Sequence, residues 1–116
     1  MPRRRIAMNP VAADAARLLG TQIRQARQAK RWTAAELAER AGVSPRTVLG
    51  AEAGSESVSI GNVLNVAVLA GVDLFGFSDP VDLAQARRRG EERVALIPSK
   101  VYPSAARGDD DGSYNF

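Results

Sequence analysis

Residues 44–47 of the sequence, Ser-Pro-Arg-Thr, place a guanidinium between two hydroxyl groups. A guanidinium can donate two parallel hydrogen bonds to O6 and N7 of a guanine, and serine and threonine side chains suit phosphate oxygens or a thymine methyl. Serine followed by proline is also typical of the cap and first turn of an α-helix. Ser44, Pro45, Arg46 and Thr47 are therefore candidate nucleic-acid contacts at the exposed start of a helix.

Two short helical segments flank this site. Glu36 to Ala41 has helical spacing, Gly42 is a typical left-handed C-terminal residue, and helical spacing resumes after Ser44. Two short helices joined by such a turn form a helix-turn-helix, whose second helix can present its first residues to base edges in the major groove. The alternative is an ordinary α-hairpin in a small bundle. Close packing of the two helices needs small or aliphatic inward residues, which are present as Ala38, Val43 and Val48.

Capping residues predict the remaining helices. Asn9-Pro10 starts a helix that extends to about Lys30, and Thr33 with Glu36 forms a capping box for the next. Ser59 starts a helix that ends at Gly71, and Asp79-Pro80 starts one that extends to about Gly90, followed by extended chain. Further expectations are a loosened first helix at Gly20 and a short turn that buries Leu74 and Phe75.

The composition excludes several kinds of chemistry. The 116 residues include no cysteine and no histidine, which removes thiolate and imidazole metal sites and the Ser–His and Cys–His nucleophile pairs. We therefore expect no cofactor and no metal, and an enzyme built on carboxylates alone is a distant alternative. The longest uncharged apolar run, residues 66–72, is far shorter than the roughly 20 residues of a membrane span. No secretion signal is recognised at the N-terminus, and a cytoplasmic protein is expected.

Charge is distributed unequally along the chain. Residues 1–56 carry ten basic and five acidic side chains, whereas residues 57–116 carry six and eight. A basic first half suggests a polyanionic partner such as nucleic acid. Residues 1–9 are predicted to be a flexible basic arm in which Arg3, Arg4 and Arg5 contact DNA or are simply solvated. Arg31, after the first helix, is a further candidate contact.

The domain organisation follows from these segments. We expect a DNA-binding domain at 10–78, a C-terminal helix for dimerisation or partner binding at 79–97, and an extended acidic tail at 98–116. The tail could form an edge strand across a dimer, carry a linear motif for a basic partner, or only aid solubility. The candidate partner-binding residues in this region are apolar or aromatic: Val94, Leu96, Val101, Tyr102, Tyr114 and Phe116.

The segments "LGTQIRQARQAKRWTAAELAERAGVSPRTVLGAEAG" and "SIGNVLNVAVLAGVDL" resemble the lambda-repressor-like (Cro/C1-type, Xre) helix-turn-helix family over about residues 17–76. The resemblance implies an all-α, five-helix bundle, here with an additional C-terminal helix and an extended tail. It also implies a dimeric repressor of palindromic DNA sites, with Thr33 added to the DNA contacts. Ala34 replaces a glutamine that contacts DNA in many relatives.

Gly50 stands where many relatives have a polar side chain that contacts bases. The glycine either permits the helix backbone to approach DNA closely or indicates weak recognition of the base sequence. Leu49 beside it is expected to be exposed, where it would contact a thymine methyl or a protein. The resemblance further implies a structural ion pair between Arg27 and Glu52, the alternative being two solvated charges. This pair would join the first helix to the third.

The whole arrangement resembles, more loosely, the HipB-like antitoxins, through "LFG", the "LIPSKV" stretch and the acidic end with an aromatic residue. That resemblance implies a HipA-like kinase toxin as partner and joint repression of a shared promoter. The "SYN" before Phe116 departs from the simpler acidic-Phe ending of that group. The sequence therefore predicts a repressor that acts as an antitoxin. The alternatives are a repressor without a toxin, or a protein-interaction module with a degenerate helix-turn-helix.

Overall fold

The computed structural model describes residues 7–98 and residue 100, and its regular secondary structure there is entirely helical. The predicted all-α fold is confirmed. The elements are α1 (Pro10–Ala29), α2 (Ala34–Ala41), α3 (Pro45–Glu52), α4 (Ile60–Ala70), a 3₁₀ turn (Leu74–Gly76) and α5 (Pro80–Ala95). The described residues up to Ser78 form one compact unit, and the described residues from Asp79 onward form a second. Within the described part, no helix is both long and apolar enough for a membrane span.

Each helix begins at the residue that the sequence predicted. The side chains of all five cap residues accept a hydrogen bond from a backbone amide two or three residues further on; these are Asn9, Thr33, Ser44, Ser59 and Asp79. At α2 the box is reciprocal, since the Glu36 amide donates to Thr33 Oγ1 (3.0 Å) and the Thr33 amide donates to Glu36 Oε1 (2.8 Å). The bond from the Thr33 amide lowers the pKa of Glu36. The caps thus fix the helix starts by local chemistry.

The core lies where α1 and α2 pack against α3 and α4. Its fully buried side chains are small or aliphatic, and five of the nine are alanines: Ile23, Leu37, Ala38, Ala41, Val48, Ala51, Val66, Ala67 and Ala70. Small side chains allow the helix axes to lie close together, so even a small change in the volume of a core side chain is expected to affect stability. The inward positions predicted for α3, Val48 and Ala51, are confirmed.

Gly20 marks the closest approach of α1 to α3. A β-carbon there would collide with the Glu52 carbonyl oxygen and lie 2.6 Å from that of Ala51. The helix α1 continues through Gly20 without a break, so the expected loosening is not found. The glycine instead provides the space into which the C-terminal end of α3 fits.

Arg27 and Glu52 form the ion pair that the resemblance implied. Arg27 Nε donates to Glu52 Oε2 (2.6 Å) and Nη2 donates to Oε1 (3.0 Å), in bidentate geometry. Their side chains are only 12% and 6% exposed. Nη1 also donates to the Trp32 carbonyl oxygen (2.9 Å). The hydrogen bond to Glu52 outweighs desolvation and raises the pKa of Arg27. This geometry agrees with the prediction of a structural ion pair and disagrees with the alternative of two solvated charges.

Two expectations about the later elements are wrong. Phe75 is not buried but 82% exposed, and only Leu74 packs against the core. The Phe75 backbone is left-handed (φ 55°), a strained conformation for a bulky residue. The chain after Gly90 is not extended, because α5 continues to Ala95. Val94 is therefore helical and cannot belong to an edge strand.

An exposed ion pair spans the glycine within α5. Arg87 Nη1 and Glu91 Oε1 form an ion pair (2.7 Å) with the four-residue spacing that stabilises a helix, and it spans Gly90. The helix ends shortly before Pro98, whose ring disfavours helical backbone at the preceding residue. Proline, rather than glycine, therefore limits α5.

We expect Gly20→Ala to lower the free energy of unfolding by about 1–3 kcal/mol, because the added methyl group overpacks the α1–α3 contact. The control is Gly61→Ala on α4, where a β-carbon meets nothing within 4 Å. Helix propensity alone would make both changes favourable, by up to about 1 kcal/mol. Denaturant unfolding of the two variants gives the comparison, and equal stabilisation of both would contradict the close contact.

Glu52→Ala is expected to cost about 3–5 kcal/mol of unfolding free energy, since it leaves the Arg27 guanidinium buried without its carboxylate. The matched control is Glu91→Ala, which breaks a pair whose side chains are 56% and 66% exposed and should cost less than about 1 kcal/mol. Thermal and urea unfolding measure both. A cost for Glu52→Ala as small as that of the control would show that the pair is not structural.

Candidate nucleic-acid interface

Hydrogen bonds with α2 and with α4 fix the turn between α2 and α3. Gly42 has a left-handed backbone (φ 71°), and the Val43 amide donates to the Ala38 carbonyl oxygen (3.0 Å). Asn65 Nδ2 of α4 donates to the Ala41 carbonyl oxygen (2.8 Å), which satisfies the C-terminal end of α2. Val43 packs against the core. These contacts fix the direction in which α3 leaves the turn.

The first turn of α3 carries the predicted contact residues, of which Ser44, Pro45 and Arg46 are exposed and Thr47 is half-buried. Ser44 Oγ accepts from the Thr47 amide (3.1 Å) and lies 3.0 Å from Thr47 Oγ1. Pro45 occupies the first turn and is exposed. The exposed Arg46 side chain forms no ion pair or hydrogen bond with any other residue that the structure describes. The hydroxyl groups are thus fixed in place, whereas the guanidinium is available to a ligand.

A groove of about 650 Å³ runs between α3 and the start of α4. Its lining combines the predicted contacts with the loop before α4: Ser44, Arg46, Thr47, Leu49, Gly50, Ser55, Ser57, Val58, Ser59 and Asn62. Five of these, Ser55, Ser57, Val58, Ser59 and Asn62, were not predicted as site residues from the sequence. The run "GSESVSIGN" carried the signal, since hydroxyl and amide side chains concentrate there just before a helix.

The electrostatics of the groove suit an anion. None of its ten lining residues is acidic, and Arg46 adds a positive charge. The capped N-termini of α3 and α4, at Ser44 and Ser59, both lie on it. Helix N-termini carry a partial positive charge and amides that point outward. Hydroxyl groups, amides and one guanidinium together match the contacts that proteins make to a DNA backbone.

Gly50 has a packing role that the sequence did not indicate. Val58 Cγ2 lies 2.8 Å from the position that a β-carbon of Gly50 would occupy. Val58, in the loop after α3, therefore occupies the space that a longer side chain at position 50 would fill. Leu49 is 54% exposed, as expected.

The other predicted contacts lie outside this groove. Thr33 is engaged in the capping box of α2, and Arg31 is exposed with a left-handed backbone (φ 60°). Both belong to the α1–α2 turn, where the Trp32 ring lies 4.2 Å from the Arg40 guanidinium carbon and 5.3 Å from Lys30 Nζ. Arg3, Arg4 and Arg5 lie outside the described residues.

The predicted partner-binding residues are only partly described. Val94 is 66% exposed near the end of α5, and Leu96, its C-terminal cap, is 86% exposed. Val101, Tyr102, Tyr114 and Phe116 lie outside the described residues. The extended tail predicted at 98–116 lies outside them too, except for Pro98 and Lys100.

Comparison with known proteins supports the interpretation of α2 and α3. Residues 18–89 match the helix-turn-helix domain family, a range that covers more than half of the chain and all of α2, α3 and α4. No curated protein and no solved structure matches the chain. The motif, the groove and the match agree, and the chain belongs to the helix-turn-helix domain family.

Proposed function

We propose that the protein is a sequence-specific transcriptional repressor that binds double-stranded DNA with α3 in the major groove. The observation that carries the proposal is the groove beside α3, which has no acidic residue in its lining, is rich in hydroxyl groups and includes Arg46, which has no ion-pair partner among the described residues. A surface of this kind can face phosphates without repulsion. The family match makes DNA the polyanion to test.

The groove lining suggests two kinds of DNA contact: contacts that orient the protein on the duplex and contacts that determine its sequence preference. Ser57 in the loop and Ser59 and Asn62 at the start of α4 are suited to contact phosphate oxygens, which fix the orientation of a protein on DNA. Arg46 is the residue suited to a base edge, through the two acceptors of a guanine. With so few base contacts, the deformability of the DNA would supply part of the specificity.

The second element of the proposal is a homodimer on a palindromic operator. One α3 of eight residues can contact only a few base pairs, whereas two copies about one DNA turn apart, ~34 Å, double the site. A twofold-symmetric protein requires a site with matching symmetry. We place the DNA-binding surfaces of both copies at α3.

A second candidate function is that of an antitoxin that binds a HipA-like kinase toxin. The exposed Val94 and Leu96 favour a partner surface at the end of α5, because large apolar side chains gain most when they become buried. The alternatives are a repressor without a toxin and an interaction module that no longer reads DNA. The experiments below separate these three.

Arg46→Ala is expected to weaken binding to the preferred operator by about 1–3 kcal/mol and to relax the preference at one base pair. The matched control is Arg88→Ala, an exposed arginine of α5. Titration of operator and shuffled duplexes across a salt series measures both, and the wild-type protein should prefer the operator by at least ~10³ with a steep salt slope. Equal loss on all sequences would make Arg46 a phosphate contact. Equal, weak wild-type binding to both duplexes would favour the interaction module.

If the protein is an antitoxin, the full chain should form a stable complex with a HipA-like kinase encoded beside it. Leu96→Glu should weaken this complex at least tenfold while leaving DNA binding unchanged, because it introduces a charge into an apolar contact. Gln85→Glu, which adds the same charge at another exposed position, on α5, is the control. Calorimetry measures the complex. DNA binding without any complex would leave a repressor that has no toxin.

A further inference from the structure

The loop between α3 and α4 is held against α3 by its own hydrogen bonds. The Ser55 amide donates to the Gly50 carbonyl oxygen (2.9 Å), so the chain turns back onto the helix it has just left. Ser55 Oγ accepts from the Ser57 amide (3.2 Å) and lies 2.8 Å from Ser57 Oγ. These three contacts order the loop and determine where the next residue, Val58, lies.

Val58 fills the place of a side chain that α3 lacks. Its Cγ2 atom lies 2.8 Å from the β-carbon position of Gly50, closer than real β-carbons approach another atom. Gly50 follows Arg46 by four residues, and side chains with that spacing share one face of a helix. Val58 therefore adds an apolar group to the same face of α3 that carries Arg46.

Leu49 extends this apolar group along the groove. Its side chain is 54% exposed, although it lies next to the buried Val48. Leu49 and Val58 are the two aliphatic side chains in a lining that otherwise consists of serine, threonine, asparagine, arginine and glycine. An apolar pair in a polar, DNA-facing groove needs an apolar partner on the DNA.

Base edges in the major groove offer one apolar group, the C5 methyl of a pyrimidine. It belongs to thymine and also to 5-methylcytosine. The geometry points to Val58 and Leu49 as specificity-determining residues that contact a C5-methylated pyrimidine near the base pair read by Arg46. This inference rests on the proposed DNA binding and adds to it the chemical class of base that is read.

The test removes or adds that methyl group in the DNA. A preferred duplex is first selected from a randomised pool with the full-length protein. Each thymine is then replaced singly by deoxyuridine, and each cytosine singly by 5-methylcytosine. Burial of one methyl group is expected to change affinity about fourfold. Loss at a thymine identifies thymine as the natural partner, and gain at a cytosine without loss at any thymine identifies 5-methylcytosine.

Variants connect the effect to the two side chains. Val58→Ala and Leu49→Ala should each reduce the fourfold methyl effect to less than twofold. Val68→Ala and Leu18→Ala make the same chemical changes at side chains that are 55% and 60% exposed elsewhere on the first unit, and they should retain it. Gly50→Ala should behave like Val58→Ala, because its β-carbon displaces Val58 from α3.

The outcomes separate this inference from the proposed function. Selection of a specific duplex without a methyl effect at any position would overturn the inference and leave the repressor intact. A methyl effect that persists in both Val58→Ala and Leu49→Ala would also overturn it, since other residues would then contact the methyl group. Failure to select any sequence would refute both proposals together.

Discussion

The arrangement of the first unit depends on the guanidinium of Arg27. Its three hydrogen bonds reach the carboxylate of Glu52, the last residue of α3, and the carbonyl oxygen of Trp32 in the α1–α2 turn. One side chain of α1 thereby holds the C-terminal end of α3 and the segment that leads into α2. Because the pair is buried, it is costly to break. The opposite, N-terminal end of α3 remains exposed, so the same contact that anchors the helix leaves its first turn available.

This anchoring works only because the backbones approach closely. Gly20 leaves room for the carbonyl groups that end α3, and Gly54, just after α3, would place a β-carbon 2.8 Å from Arg17 Cγ. Gly54 is also left-handed (φ 72°), which turns the chain back toward α3. The loop that starts there carries Ser55, and through it Val58, to the groove. The ion pair, the glycine contacts and the loop therefore form one connected support for the groove beside α3.

Most features that the sequence pattern predicted correctly depend on contacts between residues close together in the chain. The five caps were predicted because each depends on a side chain and an amide two or three residues away. The first turn of α3 was predicted for the same reason. Phe75 was not, because its exposure follows from a left-handed turn that the pattern of apolar residues does not encode. The contact of Gly50 with Val58 was missed as well, since it depends on a fold-back of the loop that pattern analysis cannot show.

Placing an apolar contact on the loop changes what controls recognition. The helix itself fixes the position of a base-contacting side chain on α3. The position of Val58 depends instead on the hydrogen bonds that Ser55 forms with Gly50 and Ser57. Under the proposal, recognition of a methyl group by Val58 therefore depends on serines for which no base contact is proposed. Arg46 differs, because its long side chain can adjust to a base without help from the loop. Under the proposed methyl contact, the loop contributes Val58, whereas α3 contributes Leu49 together with Arg46. The preference for a methylated pyrimidine would then depend on both elements, and the preference for guanine on the helix alone.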